Sequence, residues 1–259
     1  MEIGLKLWST NRHYIEPAHE LFKRKVFDYI ELFVVKGSGD HITSWKNLGI
    51  PFVLHAPYSS RGLNFSLPDM ERSNHRCMED VEAYREALNP AYIIFHPGQN
   101  GTSETAHSQI KSMAAGFSAA FRLALIENEV FADADRSLSV GYSPTQIKRL
   151  MQAVPIGFCL DFSHAICSAA SAGKDWREYM QEFAELLPSM YHICDGMTSS
   201  PADMHLHIGG GDYDIAALLG MIKEDNSFLS IETIKDSQQN LNDFERDVLE
   251  VRKRLEGNR

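Results

Sequence analysis

The chain has 259 residues, 44% hydrophobic and 23% charged, an ordinary globular composition with enough apolar material for a sizeable core. A net charge of −10 argues against a basic nucleic-acid footprint over the whole molecule, although divalent ions among carboxylates would make one face locally positive. No apolar run approaches the roughly 18 residues of a membrane span, and the start MEIGLKLWSTNRHY lacks a secretory pattern, so a cytoplasmic protein with no membrane contact is expected.

Strand-like and helix-like segments alternate from end to end, the signature of parallel βαβ units. Strands are predicted at Glu2–Trp8, Tyr29–Val35, Phe52–Tyr58, Ala91–His96, Leu123–Glu127, Ile156–Asp161, Met190–Cys194 and Phe228–Ile234. Most are unbroken apolar runs, as a sheet covered on both faces requires. The helical segments between them begin with Pro17–Lys25 and a short turn near His41–Lys46, followed by the amphipathic stretches Asp69–Leu88 and Thr105–Phe121. Pro144–Val154 opens at Ser143, a good N-cap with Pro at the first helical position. Asp175–Leu187, Ile215–Lys223 and Asn240–Leu255 complete the set, the last acidic early and basic late to match the helix dipole. Eight strands alternating with eight helical slots, without a linker or repeat, predict a single (β/α)8 TIM barrel spanning 1–259 as one domain. A doubly wound open sheet is the alternative, but no GxGxxG follows the first strand.

Seven apolar runs end, at or just past their last residue, in a histidine or a carboxylate. They supply His55, His96, Glu127, Asp161 with His164, His192, Asp203 with His205, and Glu232. In a parallel barrel those ends converge on the face where sites are built. Imidazoles and carboxylates held rigidly at such exits suit a divalent cation, with zinc foremost. A buried carboxylate ending an apolar strand is costly unless a cation or hydrogen bonds compensate it. Lys and Arg are sparse near these exits, so ion pairing is the poorer explanation and metal binding the better one. The other six histidines, His13, His19, His41, His75, His107 and His207, fall mostly in predicted helices and loops and are expected to face solvent, with His207 ambiguous because it lies two residues past His205.

The four cysteines, Cys77, Cys159, Cys167 and Cys194, form no CxxC pair, and Cys159 and Cys194 fall inside predicted strands. Buried free thiols are expected, and a thiolate zinc cluster is not. In HIGGGDYD the glycines Gly209, Gly210 and Gly211 make a loop that either approaches a ligand closely or simply precedes an N-cap at Asp212 or Asp214.

Taken in order, these motifs resemble endonuclease IV, the zinc-dependent apurinic/apyrimidinic endonucleases of the xylose-isomerase-like barrel superfamily. HAPY carries His55 and Tyr58, FHPG carries His96, and IEN carries Glu127 at the position of a bridging glutamate. CLDFSH carries Asp161 and His164, HICD carries His192, DMH carries Asp203 and His205, and IET carries Glu232. The resemblance implies a trinuclear zinc site filled by these nine residues. It also implies hydrolysis of the phosphodiester 5′ to an abasic nucleotide in DNA, with the ions activating the nucleophile and clamping the oxygens. Glu127 would also orient the attacking water, and an abasic nucleotide is easily swung out of the stack. Tyr58 and Arg61 are the candidate substrate contacts, with a solvated loop arginine the equal alternative for Arg61.

Three loops depart from that family. VVKGSGDHITSW has no arginine where the family carries a DNA-entering segment, EVFADADRSLSVGY is acidic, and SSRGLNFSLPD differs after HAPY. Sugar isomerases and epimerases of the same superfamily resemble the chain at Glu127, Asp161, His192 and Glu232, and His164 also fits them. There a single manganese or magnesium ion would polarise a ketose while Glu127 and Glu232 move protons. That reading has no use for His55, Asp203 and His205 together. A non-catalytic metal protein is the third alternative.

Overall fold

The computed structural model describes residues 1–132, 137–222 and 227–257. Its strands are β1 (Glu2–Trp8), β2 (Tyr29–Phe33), β3 (Phe52–His55), β4 (Ile93–Phe95), β5 (Ala124–Glu127), β6 (Gly157–Asp161), β7 (Met190–Ile193) and β8 (Phe228–Ile231). All pair in parallel in chain order, and β8 returns to β1 to close the barrel. The expected (β/α)8 architecture is therefore the observed one; β1, β5 and β6 end where predicted, and β2, β3, β4, β7 and β8 end one to three residues earlier. Pro57 and Pro97, which have no N–H for the ladder, follow β3 and β4 closely and turn the chain out of the sheet.

The helices are α1 (Ile15–Lys23), α2 (Ile42–Lys46), α3 (Glu71–Leu88), α4 (Ser103–Gly116), α5 (Ser118–Phe121), α6 (Pro144–Met151), α7 (Phe162–Ala172), α8 (Trp176–Ala184), α9 (Ile215–Gly220) and α10 (Asn242–Gly257). Ser143 caps α6 as expected, accepting from the Gln146 N–H at 3.4 Å. The predicted Thr105–Phe121 helix is instead two, because Phe117 leaves the helical region at φ −121° and ψ 47°. Lys223, at the predicted end of α9, lies outside the described residues. Unforeseen is α7, which starts where β6 stops: the Asp161 carboxylate accepts from the His164 N–H at 2.7 Å and caps it. His164 consequently sits on the first turn of a helix rather than on a strand exit.

Strand alternation divides the barrel lumen into layers. Tyr29, Val53, Ile94, Leu125, Cys159 and Met190 pack together as an apolar plug. Gly4 belongs to this level, since a side chain there would meet the Tyr29 ring at 2.3 Å. Two residues further along each strand, on the same face, come Lys6, Glu31, His55, His96, Glu127, Asp161, His192 and Glu232. An ionisable ring thus rests on an apolar floor, while the helices cover the outer face of the sheet with the main core.

Candidate metal centre

Each histidine of the centre has one nitrogen occupied by an acceptor and the other turned inward. His55 Nδ1 is 2.9 Å from Ala56 O, His164 Nδ1 2.8 Å from Asn128 O, and His205 Nδ1 2.7 Å from Glu232 O. His96 Nδ1 meets Glu129 Oε1 at 2.5 Å. These bonds leave Nε2 as the free atom in all four, the arrangement by which a metal-binding imidazole is oriented. His192 is reversed: Nε2 lies 2.9 Å from Glu31 Oε2 and Nδ1 faces the carboxylates. His207 differs in kind, because Asp247 at 2.8 Å and Asp236 at 3.1 Å take both its nitrogens. It has no lone pair to offer, and it is half-buried rather than solvent-facing.

The inward atoms fall into three groups. His55 Nε2, His96 Nε2 and Glu127 Oε2 form a triangle with sides of 3.1 Å. Donors on a tetrahedral ion with bonds near 2 Å stand about 3.3 Å apart, so the triangle has the dimensions of one coordination face. Beside it, His192 Nδ1 is 3.0 Å from Glu127 Oε1, 2.8 Å from Glu232 Oε1 and 3.7 Å from Asp161 Oδ2. Glu127 therefore spans both groups, one oxygen in each. In the third, Asp203 Oδ2 is 2.7 Å from His205 Nε2 and 3.4 Å from His164 Nε2. All nine residues singled out from the sequence are gathered here, and the donor chemistry fits divalent ions.

The electrostatics carry the same mark. Against burial, Glu129 and Glu127 push His96 up to about 10, and the Asp203 hydrogen bond pushes His205 up to about 9. His164 and His192 are raised well above the ordinary range by the carboxylates around them, against the same desolvation. Burial, partly offset by His164 and reinforced by Asp203, pushes Asp161 up to about 6. Glu127 and Glu232 are held well below the usual carboxylate range, against burial, chiefly by His192. Protons on the histidines thus balance a dense acidic cluster, the balance that bound cations would otherwise supply.

The expectation of few basic partners needs correcting. Lys6, inside β1, is in contact with Glu232 and lies 3.1 Å from Glu31 Oε1. An apolar-looking strand with one lysine hides it, since Lys6 points into the lumen where its charge is compensated by two glutamates. Glu31 and Glu129 were also missed, although both are buried and Glu31 is an acid in an otherwise apolar segment, the signal used for Glu127. Asn128 completes the support, pairing with the Asp161 backbone at 2.8 and 2.9 Å.

Above the ring opens a cavity of about 760 Å³, walled on one side by Trp8, Phe33 and Tyr58. Tyr58 packs 5.3 Å from Phe33, ring to ring. Arg61 does not line the cavity; its guanidinium stacks over Trp8 at 4.9 Å. Of the three glycines, Gly211 is required by close packing. A side chain on Gly211 would meet Gly196 O at 2.0 Å, the Gly209 N–H donates to Asp195, and Asp214 caps α9.

A family model described as the xylose isomerase-like TIM barrel matches residues 42–255. The chain belongs to this family. Among solved structures of the xylose isomerase-like barrel, a D-tagatose 3-epimerase-like protein is similar at 18% identity and TM-score 0.74, covering 100% of this chain and 98% of that one. Endonuclease IV from Thermus thermophilus is similar at 17% identity and TM-score 0.72, over 99% and 100%. The IOLI protein, solved with a bound zinc atom, is similar at 16% and 0.65, over 98% and 96%. At these identities the likeness speaks for the fold alone. No curated protein matches the sequence. Within the family the neighbours thus include both an endonuclease and an epimerase-like protein, and among the described residues no helix is long and apolar enough to cross a membrane.

Proposed function

We propose that this chain is a metal-dependent phosphodiester hydrolase of endonuclease IV type, with three zinc ions and abasic sites in DNA as its substrate. The observation that carries this reading is the completeness of the donor set. Beyond Glu127, Asp161, His192 and Glu232, the chain supplies His55 with His96 and a separate trio of His164, Asp203 and His205, each imidazole oriented by its own acceptor. Residues 55, 96 and 127 would hold one ion, 127, 161, 192 and 232 a second, and 164, 203 and 205 a third. The chemistry such ions supply is Lewis-acid polarisation of a phosphoryl oxygen and acidification of water. Glu127 lies between the first two groups, where a carboxylate orients an attacking water. Tyr58, at the cavity wall, suits contact with an extruded sugar, and a space of about 760 Å³ accommodates a single flipped nucleotide. Arg61, stacked over Trp8 beside the cavity, is the candidate phosphate contact.

One observation favours a second reading, a sugar isomerase or epimerase with a single divalent ion. Lys6 joins Glu232 inside the ring, and Trp8 and Phe33 wall the cavity beside it, an arrangement suited to a small anionic or enolising sugar. Elemental analysis and incision of a duplex with one abasic analogue separate the two. Three zinc ions per chain and a cut strand are expected; one manganese or magnesium ion, an intact duplex and epimerised ketose would replace the first reading by the second.

A further inference from the structure

Beyond the strand-borne ring, one side chain of donor type remains unassigned at the centre. Cys194 is free, 2% exposed, and lies one residue past the end of β7 on the same face as His192. Asp195 and Leu206 exchange backbone hydrogen bonds of 3.0 and 2.9 Å, which zip this extension of β7 against the loop carrying Asp203 and His205. The zip sets Cys194 Sγ 3.8 Å from Asp203 Oδ1, and Sγ, a carboxylate oxygen of Asp203 and a ring nitrogen of His205 all lie within 4.8 Å of one another. Asp203 faces His164 through its other oxygen. One sulfur, one carboxylate and one imidazole therefore lie together, with a second imidazole on the other oxygen of that carboxylate, and these four donor types are those that zinc takes.

We propose that Cys194 is the fourth protein ligand of the site formed by His164, Asp203 and His205. The inference rests on the reading of the centre as a metal site and distinguishes its donors. The groups sharing Glu127 consist of nitrogen and oxygen donors alone. Sulfur is a soft donor, so this site selects zinc over manganese or magnesium. On binding, the thiol proton is released to solvent, and no electron changes hands.

The test loads the ion-free full-length protein with cobalt(II) and reads the near-ultraviolet sulfur-to-cobalt charge-transfer band. Wild type is expected to show the band at the intensity of one thiolate. Cys194→Ser should abolish it and hold one zinc fewer against a chelator, whereas Cys159→Ser, at the thiol beside His192, should retain it. Cobalt-loaded wild type without the band, or a Cys194→Ser protein that keeps it, overturns the assignment and leaves the metal centre standing. Wild type that takes up no cobalt overturns both.

Discussion

The ionisable ring and the trio beside it were built by different means. Lys6, Glu31, His55, His96, Glu127, Asp161, His192 and Glu232 hang from strands or their immediate ends, two residues above the apolar plug, and all but the half-buried Lys6 are buried. His164, Asp203 and His205 belong to the first turn of α7 and to a loop, with side chains 11%, 13% and 39% exposed. His205 even adopts φ +48°, a conformation uncommon for a residue with a side chain and retained only where surroundings enforce it. The ring contains every group a single-ion isomerase needs, whereas Asp203 and His205 of the trio, like His55 in the ring, have no use in that reading. The two readings thus differ at one strand end, His55, and chiefly in what the loop carrying Asp203 and His205 contributes.

The largest effect expected from breaking this contrast is at Glu127. Glu127→Gln removes a charge shared by both ring groups, so it should cost on the order of 10⁴-fold in activity, the scale of losing a central catalytic group. That loss is common to both readings. His205→Ala separates them: for the hydrolase it should remove one ion and most incision activity, and for the isomerase it should leave turnover nearly intact. Parallel metal analysis and kinetics on the two variants give the answer, and full incision by His205→Ala with two ions bound would count against a role for the trio.

Much of this centre was legible as residues at the ends of apolar runs, because a strand fixes both the direction and the depth of its last side chain. The same rule, applied as a layer two residues above the plug, would also have reached Glu31 and Lys6. A single charged residue inside β1 or β2 reads instead as an edge or a register break when its neighbours are apolar. The start of α7 was hidden for another reason. CLDFSHAICSAA is apolar throughout, and nothing in its periodicity separates the end of a strand from the start of a buried helix. Only the Asp161 cap marks the boundary. A metal-binding thiol is legible in sequence mainly through CxxC pairs, whereas the partners of Cys194 come from a loop brought alongside by the Asp195–Leu206 bridge.

A smaller effect tests how the ring groups are supported. Glu129 holds His96 Nδ1, and Glu129→Gln should weaken ion binding at His55 and His96 by about 10- to 100-fold, the usual cost of losing a carboxylate behind a metal-binding imidazole. Competition with a chelator measures this, and the trio should keep its affinity. Equal weakening of all sites would mean that Glu129 supports the fold in general and not His96.

The mildest effect concerns the ion-free protein and pH. His96 and His205 are raised in the folded state to about 10 and about 9, against roughly 6.5 in an unfolded chain. A raised histidine contributes stability that is fully present below the unfolded value and is lost as pH rises through the folded one. Ion-free protein should therefore melt at a lower temperature at pH 10 than at pH 6.5. Glu127, Asp203 and Glu232 shift the other way, so their contribution is present above the ordinary carboxylate range and lost as pH falls below it. Bound cations replace the imidazole protons as partners of those acids, which removes the reason for the alkaline loss. Thermal melts with and without zinc should thus coincide least at alkaline pH, with the loaded protein nearly flat. Alkaline limbs of the same depth in both would show that the histidine protons and the ions do not occupy the same positions, and the ring would then be a network of buried ion pairs held together by Lys6 and the imidazoles.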